Sequence, residues 1–266
     1  MSDIGIPRIK LPQGAPVPDV VRDIACARFG KAGVMILEDV ISPELVAAVH
    51  ADYSERYAAY HRDIEYDDAR HVGDRRNMIS VAVSGALADP AIYANPGAMP
   101  LIRALLGADV ILGSLVAVTS LPGSEDQEFH VDMPLLFEDA EIGAQVPVYC
   151  VTLVLPLVDM NATNGTTAFF PGSHLSVTEE PPGTPILPEV PVGHAILFDS
   201  RIWHHGTPNR SQAPRPVLYN TYQRPWFRDV VNFARQKPLI IDDATLAAVD
   251  PAHRHLFDWT RMPGMA

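Results

Sequence analysis

From Val110 onward the chain reads as a series of short runs rich in β-branched and aromatic residues, at 110–119, 149–155, 166–170, 194–203 and 217–222. Turn clusters separate them, among them Pro122-Gly123-Ser124, Asn161-Ala162-Thr163-Asn164-Gly165 and Pro171-Gly172-Ser173. Side chains branched at Cβ pack well on a pleated surface, while Gly, Pro and Asn supply the dihedral angles of tight turns. Many short strands at this spacing predict a β-sandwich or jelly roll.

Upstream of Gly107 the periodicity is helical. Val20, Val21, Ile24, Ala25 and Phe29 recur at helical spacing from Asp19 to about Lys31, and Gly30 and Gly33 close that pattern. Val34-Met35-Ile36-Leu37 reads as a strand. Ser42-Pro43 supplies an N-cap followed by proline at the first helical position, opening a helix through Leu45, Val49, Tyr53 and Tyr57 to about Asp63. A further helix is expected from Ala98 to Leu106, and the Pro- and Gly-punctuated residues 1–17 predict an irregular arm. With no internal repeat and no linker, the expected organisation is one domain over 1–266. It comprises a helical N-terminal layer (about 18–107), a β core (about 108–227) and a C-terminal extension (228–266).

Hydrophobic residues make up 47% of the 266 and charged ones 20%, enough to bury a full core. A formal charge of -12 repels phosphate backbones and anionic bilayers, so no nucleic acid or membrane partner is expected. Only Cys26 and Cys150 are present and neither belongs to a CxxC pair, which suits a reducing compartment. Met1 to Pro7 lacks the basic-then-apolar order of a secretory signal, and the apolar run Ile142–Val158 is broken by Gln145, Pro147 and Pro156. A soluble, cytoplasmic protein is the expectation.

Chemistry concentrates in Gln127-Glu128-Phe129-His130-Val131-Asp132 and in Trp203-His204-His205-Gly206-Thr207-Pro208-Asn209. On an extended strand His130 and Asp132 point to one side, offering an imidazole and a carboxylate to a common point. A histidine from a distant strand would complete the two-His-one-carboxylate face that holds non-haem Fe(II) and leaves coordination positions open. His204 and His205 are both candidates, and they face opposite sides of one strand. Asp199 is a poorer carboxylate candidate, because its partner two residues on is Arg201.

Pro122-Gly123-Ser124, Gln127 ahead of His130-x-Asp132, Asn164-Gly165-Thr166-Thr167 leading into Pro171-Gly172-Ser173-His174, and His204-x-Gly-x-x-Asn209 with Arg215 together resemble the phytanoyl-CoA dioxygenase family of Fe(II)- and 2-oxoglutarate-dependent oxygenases. The likeness runs from 109 to 227 in motif order, with a weaker echo from about Val34. It implies a mainly β (α+β) protein, a double-stranded β-helix or jelly roll of the cupin kind, using Fe(II), 2-oxoglutarate and O2. His130, Asp132 and His204 become the implied iron ligands, since His204 and not His205 lies five residues before Asn209 and eleven before Arg215. A bulge in that strand would reverse the facing and favour His205.

Arg215 is implied to grip the distal carboxylate of 2-oxoglutarate through paired, charge-assisted hydrogen bonds that a lysine does not duplicate. Gln127 and Thr167 match positions that contact the co-substrate, and Arg76 matches a further carboxylate contact, with Arg75 close behind. His174 follows the Pro-Gly-Ser loop and reads as an orienting residue. Phe129, Met133, Leu135, Phe137, Tyr149, Trp203, Tyr219 and Trp226 read as core or pocket wall. The activity implied is hydroxylation or other oxidation of an unactivated C–H bond in a small, largely apolar substrate, lipid-like or a secondary metabolite, with succinate formed from 2-oxoglutarate. Retention of Asp132 disfavours chlorination. A zinc hydrolase or a non-catalytic jelly-roll binding protein is the alternative, and a homodimer is compatible with the sequence. Substrate choice is expected to lie in 60–80 and 133–146.

Overall fold

Strand alternation sends the side chains of one large sheet into two different cores. In the computed structural model, residues 4–11, 16–133, 136–137, 139–175, 178–229, 232–233 and 236–261 are described. In chain order the elements are β1 (Arg8–Lys10), α1 (Asp19–Ala32), β2 (Val34–Glu38), α2 (Pro43–Arg56), β3 (Arg70–His71), β4 (Arg76–Ser80), α3 (Pro90–Tyr93) and α4 (Met99–Leu106). They continue with β5 (Ile111–Ser120), α5 (Ala140–Gln145), β6 (Cys150–Pro156), β7 (Thr167–Phe169), β8 (Ala195–Asp199), β9 (His204–Gly206), β10 (Arg215–Gln223) and α6 (Asp243–Ala248).

Eight strands form the main sheet in the order β1-β2-β8-β6-β10-β5-β4-β3, antiparallel except for the β1–β2 pair. A second, shorter layer pairs β7 with β9 and is widened by single bridges His130–His204 and Phe169–Ile186. Met35, Leu37, Leu153, Leu197, Leu218 and Tyr222 face the helical side, where they join Phe29, Val49, Tyr53 and Ile102. Their chain neighbours Val34, Ile36, Val154, Ile196, Phe198 and Val217 face the other way and meet Phe169 and Ile202 between the two β layers. This is the period-two signature of a sheet buried on both faces. The fold is a jelly roll of the cupin kind with helices outside its larger sheet.

The helix signals work as read from the sequence. Ser42 Oγ accepts from Leu45 N–H (3.2 Å), and Gly33 caps α1 in the left-handed region (φ 72°), its N–H donating to Phe29 O (2.7 Å). Tyr53 of α2 hydrogen-bonds Thr119 of β5 (2.8 Å), fastening helix to sheet. Leu256 and Phe257 bring the C-terminal extension into the same core, and the Phe257 ring meets Tyr93 edge-on at 5.1 Å.

Several boundaries differ from expectation. Within the supposed arm, Arg8–Lys10 pairs in parallel with Ile36–Glu38, satisfying a sheet edge that would otherwise be open. The α2 helix stops at Arg56 and a 3-10 turn follows at Ala58–Tyr60, rather than one helix to Asp63. The single run 194–203 is two strands, because the chain turns at Ser200 between β8 and β9. Residues 60–80 contain β3 and β4. The segment around His130 is extended without forming a longer strand: its bridge to His204 is flanked by hydrogen bonds from Gln127 N–H to Gly206 O (2.9 Å) and from Met133 N–H to Ser200 O (3.0 Å). Leu135 lies outside the described residues, as do the first residues of the expected arm. Both cysteines are free. Among the described residues no helix is long and apolar enough to cross a membrane.

Candidate metal centre

The two histidines that bracket the centre are locked by their own backbones. His130 Nδ1 bonds Glu128 O (2.8 Å) and His204 Nδ1 bonds Ile202 O (3.0 Å), each two residues upstream. Both rings therefore keep Nε2 free to face inward, the arrangement in which one ring nitrogen is oriented and the other ligates. The bridge between the two strands sets the rings 4.4 Å apart.

Asp132 closes the triangle. Its Oδ1 lies 3.9 Å from His130 Nε2 and 3.6 Å from His204 Nε2, and the three ligand atoms all lie within 4.8 Å of one another. Donors about 2.1 Å from a common ion and at right angles sit about 3.0 Å apart, so the three side chains close on one iron by drawing together by roughly 1–2 Å. Burial pushes His204 down to about 4, against the opposing pull of Asp132, so its imidazole is neutral and ligand-ready at neutral pH. His205 points to the opposite side of β9, as alternation requires.

The triad opens into a cavity of about 560 Å3 whose walls include Met78, Val116, Val118, Met133, Thr167 and Tyr219. Arg215 and Arg76 do not line this cavity themselves, but each shares a strand face with a residue that does, Arg215 with Tyr219 on β10 and Arg76 with Met78 on β4. Both guanidinium groups are buried, 4% and 1% exposed, and both donate to the Ser120 hydroxyl, from Arg215 Nη2 at 2.5 Å and Arg76 Nε at 3.0 Å. Among the described residues neither has a carboxylate partner, and Arg215 Nε has no hydrogen-bond partner at all. Burial lowers Arg215 to about 10, with Tyr219 opposing and Arg76 reinforcing the shift, so the group stays charged.

Arg76 Nη2 donates to Thr207 O (2.8 Å) and Gly206 O (3.4 Å), tying β4 to the end of the strand that carries His204. Arg75 instead turns outward to Asp63 (3.1 Å) and Pro122 O (3.2 Å), which separates the two adjacent arginines. Gln127 lines the cavity but spends its amide on structure: Oε1 accepts from Gly206 N–H (3.0 Å) and Nε2 donates to Val72 O. A Cβ on Gly206 would fall 2.9 Å from Gln127 Oε1 and 3.2 Å from Arg76 Nε, which explains why the residue between them is glycine. Thr167 is buried and lines the cavity together with Tyr219.

Asn209 holds the turn that delivers Arg215, its Nδ2 donating to Ser120 O (3.0 Å) and Ala213 O (2.9 Å). His174 lies away from the triad, packed on Gly33 with Nε2 on Gly30 O (3.3 Å). Asp199 is committed to Arg201 (2.7 Å), as its spacing foretold. Ser120 was not singled out from the sequence. Its signal was the alternation Ser114, Val116, Val118, Ser120 along one face of β5.

The comparisons agree with this geometry. The family model described as phytanoyl-CoA dioxygenase (PhyH) matches residues 29–217. The chain is 28% identical over 150 residues to the dioxygenase af480 of Aspergillus fumigatus, across 54% of this chain and 47% of that one. It thus spans about half the length of af480. It is 27% identical over 213 residues to the dioxygenase trt7 of Aspergillus terreus, across 76% of this chain and 73% of that one. The crystal structure of the epimerase SnoN in complex with Fe3+, alpha ketoglutarate and nogalamycin RO superposes with a TM-score of 0.58 at 18% identity, covering 80% of this chain and 88% of that one. With the model matching well over half of its length, this chain belongs to the phytanoyl-CoA dioxygenase family.

Proposed function

We propose that the protein is a non-haem Fe(II)- and 2-oxoglutarate-dependent oxygenase that oxidises an unactivated C–H bond of a small, largely apolar organic molecule, lipid-like or a secondary metabolite. His130, Asp132 and His204 would hold iron, and Arg215 the distal carboxylate of 2-oxoglutarate, with Thr167 beside it. One observation carries the reading: two buried guanidinium groups that have no carboxylate partner among the described residues stand on the same strand faces as residues lining the cavity of a converged His-Asp-His set. A zinc hydrolase needs only the triad, and a binding module needs neither.

With O2 and 2-oxoglutarate, iron at such a face supplies an oxidation strong enough for hydroxylation, desaturation or ring rearrangement while the keto acid becomes succinate and CO2. The chain's own residues do the rest. Arg76 and Gln127 fix β9, and with it the direction of His204. Met78, Val116, Val118 and Met133 keep the cavity dry near the triad and offer an apolar substrate contact area. The helices and the jelly roll share one core, which supports reading 1–266 as a single domain.

Anaerobic protein loaded with Fe(II) should develop a weak visible metal-to-ligand band on adding 2-oxoglutarate, and a hydrolase or binding module stays colourless. Succinate release across a panel of lipid-like and terpenoid compounds tests the substrate class. Release that never exceeds the uncoupled background would remove the apolar-substrate part of the proposal.

A further inference from the structure

Behind β9, on the side away from the triad, lies a second and larger cavity of about 940 Å3. Alternation creates it. His205 follows His204, so when His204 faces the first cavity its neighbour faces the second, and Phe129, before His130, borders both. Phe129 and His205 meet edge-on at 4.6 Å, and Trp203, Leu187, Pro181 and Pro185 extend the apolar wall. Phe129 is 49% exposed and Leu187 54%, so this apolar surface is open.

The rim has the opposite character. Asp126, Glu128, Glu179, Glu180 and Glu189 line the cavity against the one guanidinium of Arg210. Among the described residues only Asp126 of these five acids has an ion-pair partner, His205, at 3.6 Å. A further observation points to a ligand: the His205 side chain is 8% exposed, and its Nδ1, 3.6 Å from Asp126 Oδ1, makes no hydrogen bond. Buried polar atoms are nearly always satisfied, so an orphaned nitrogen on a cavity wall marks a place where something else donates or accepts.

We propose that this cavity is a second binding site, for a protonated amine with an apolar body. The ammonium lies among the carboxylates beside His205 Nδ1, and the hydrocarbon rests on Phe129, Trp203 and Leu187. The site goes beyond the oxygenase reading and requires no iron: the two cavities adjoin along Asp126–Phe129, but β9 turns His204 and Gly206 to the first and His205 and Thr207 to the second.

Calorimetric titration of the 266-residue chain with 4-phenylbutylammonium chloride tests it, with 4-phenylbutanol as the uncharged control. The expected result is one saturable site for the amine that weakens as salt rises and is about tenfold weaker in the Asp126→Asn/Glu179→Gln/Glu180→Gln variant, the loss of three part-screened charges. Leu187→Ser, at an exposed position, should weaken it as well. Binding should persist in His204→Ala, which removes the iron set, so failure of the oxygenase reading and failure of this one are distinguishable. Equal affinity for the alcohol, indifference to the carboxamide variant, loss of binding in His204→Ala, or no saturable heat each overturns the proposal.

Discussion

Arg215 concentrates the chemistry of the site in one side chain. It is charged, almost wholly buried, and anchored at one nitrogen by Ser120 while its Nε waits unpartnered. A planar fork matches a carboxylate with two parallel bonds and a lysine ammonium does not, so Arg215→Lys should raise the KM for 2-oxoglutarate by roughly 10- to 100-fold, about 1.5–3 kcal/mol, with kcat less affected. Succinate formation at varied 2-oxoglutarate measures it, and an unchanged KM would remove Arg215 from the co-substrate site. Arg76 is a contrasting residue, since its donors go to Thr207 O and Gly206 O. Arg76→Ala leaves the buried Thr207 O without its donor, while Gly206 O keeps Gln127 N–H (2.9 Å), and should cost about 2–4 kcal/mol in denaturant unfolding, whereas Arg75→Ala should stay within about 0.5 kcal/mol. The sequence made Arg215 legible through its distance from His204. It left Arg75 and Arg76 unresolved, because which of two neighbours turns inward depends on a backbone path, here a positive φ of 50° at Arg75, that residue types do not announce.

Elements are positioned by a few specific fastenings. The α2 helix is tied to β5 by Tyr53 and Thr119, and burial pushes the Tyr53 hydroxyl up to about 12. For an acid whose folded pKa lies above its unfolded value near 10, the folded state holds its proton longer. Stability from this source is therefore present below pH 10 and is lost as pH rises towards 12. The loss is about 2–3 kcal/mol over that window. Tyr53→Phe should be less stable than the parent at neutral pH by about 1 kcal/mol, and the gap should close or reverse between pH 10 and 12, measured by urea unfolding. The turn before β7 depends on Gly165, at φ 83°, where a Cβ would fall 2.6 Å from both Thr207 O and Pro208 O. These are backbone atoms that cannot swing aside, so Gly165→Ala should destabilise by about 2–4 kcal/mol and show as a fall in Tm. Such turns were readable from Asn164-Gly165. The short strands β1 and β3 were not, because two or three residues carry no measurable period, and β4 was hidden because its five residues include Arg76, Asn77 and Ser80, polar side chains that are nonetheless buried.

Across the whole molecule, the helices cover one face of the main sheet and the short β7–β9 layer covers the other, leaving the triad and the two arginines between the layers. Composition and alternation made that layering legible, since helical periodicity ends at Gly107 and strand periodicity follows. What they left hidden is how much of the interior is held in readiness for an anion. Among the described residues these two like charges are buried side by side with no carboxylate in ion-pair contact, so any dicarboxylate that enters relieves their repulsion and binds the folded state only. Ligand linkage then predicts a global effect: at about 100 times its Kd, 2-oxoglutarate with Fe(II) should stabilise the fold by about 2.7 kcal/mol. For a chain of this size that is a rise of roughly 5–10 °C in Tm. Succinate, which keeps the distal carboxylate and lacks the keto acid chelate, should give a smaller rise that is the same with and without Fe(II). In Arg215→Ala the succinate rise should vanish, and in His204→Ala it should remain while the iron-dependent increment disappears. Loss of both increments in His204→Ala would mean that the arginines do not hold the distal carboxylate independently of the metal. The same scan on all three proteins thus separates the carboxylate anchor from the iron face.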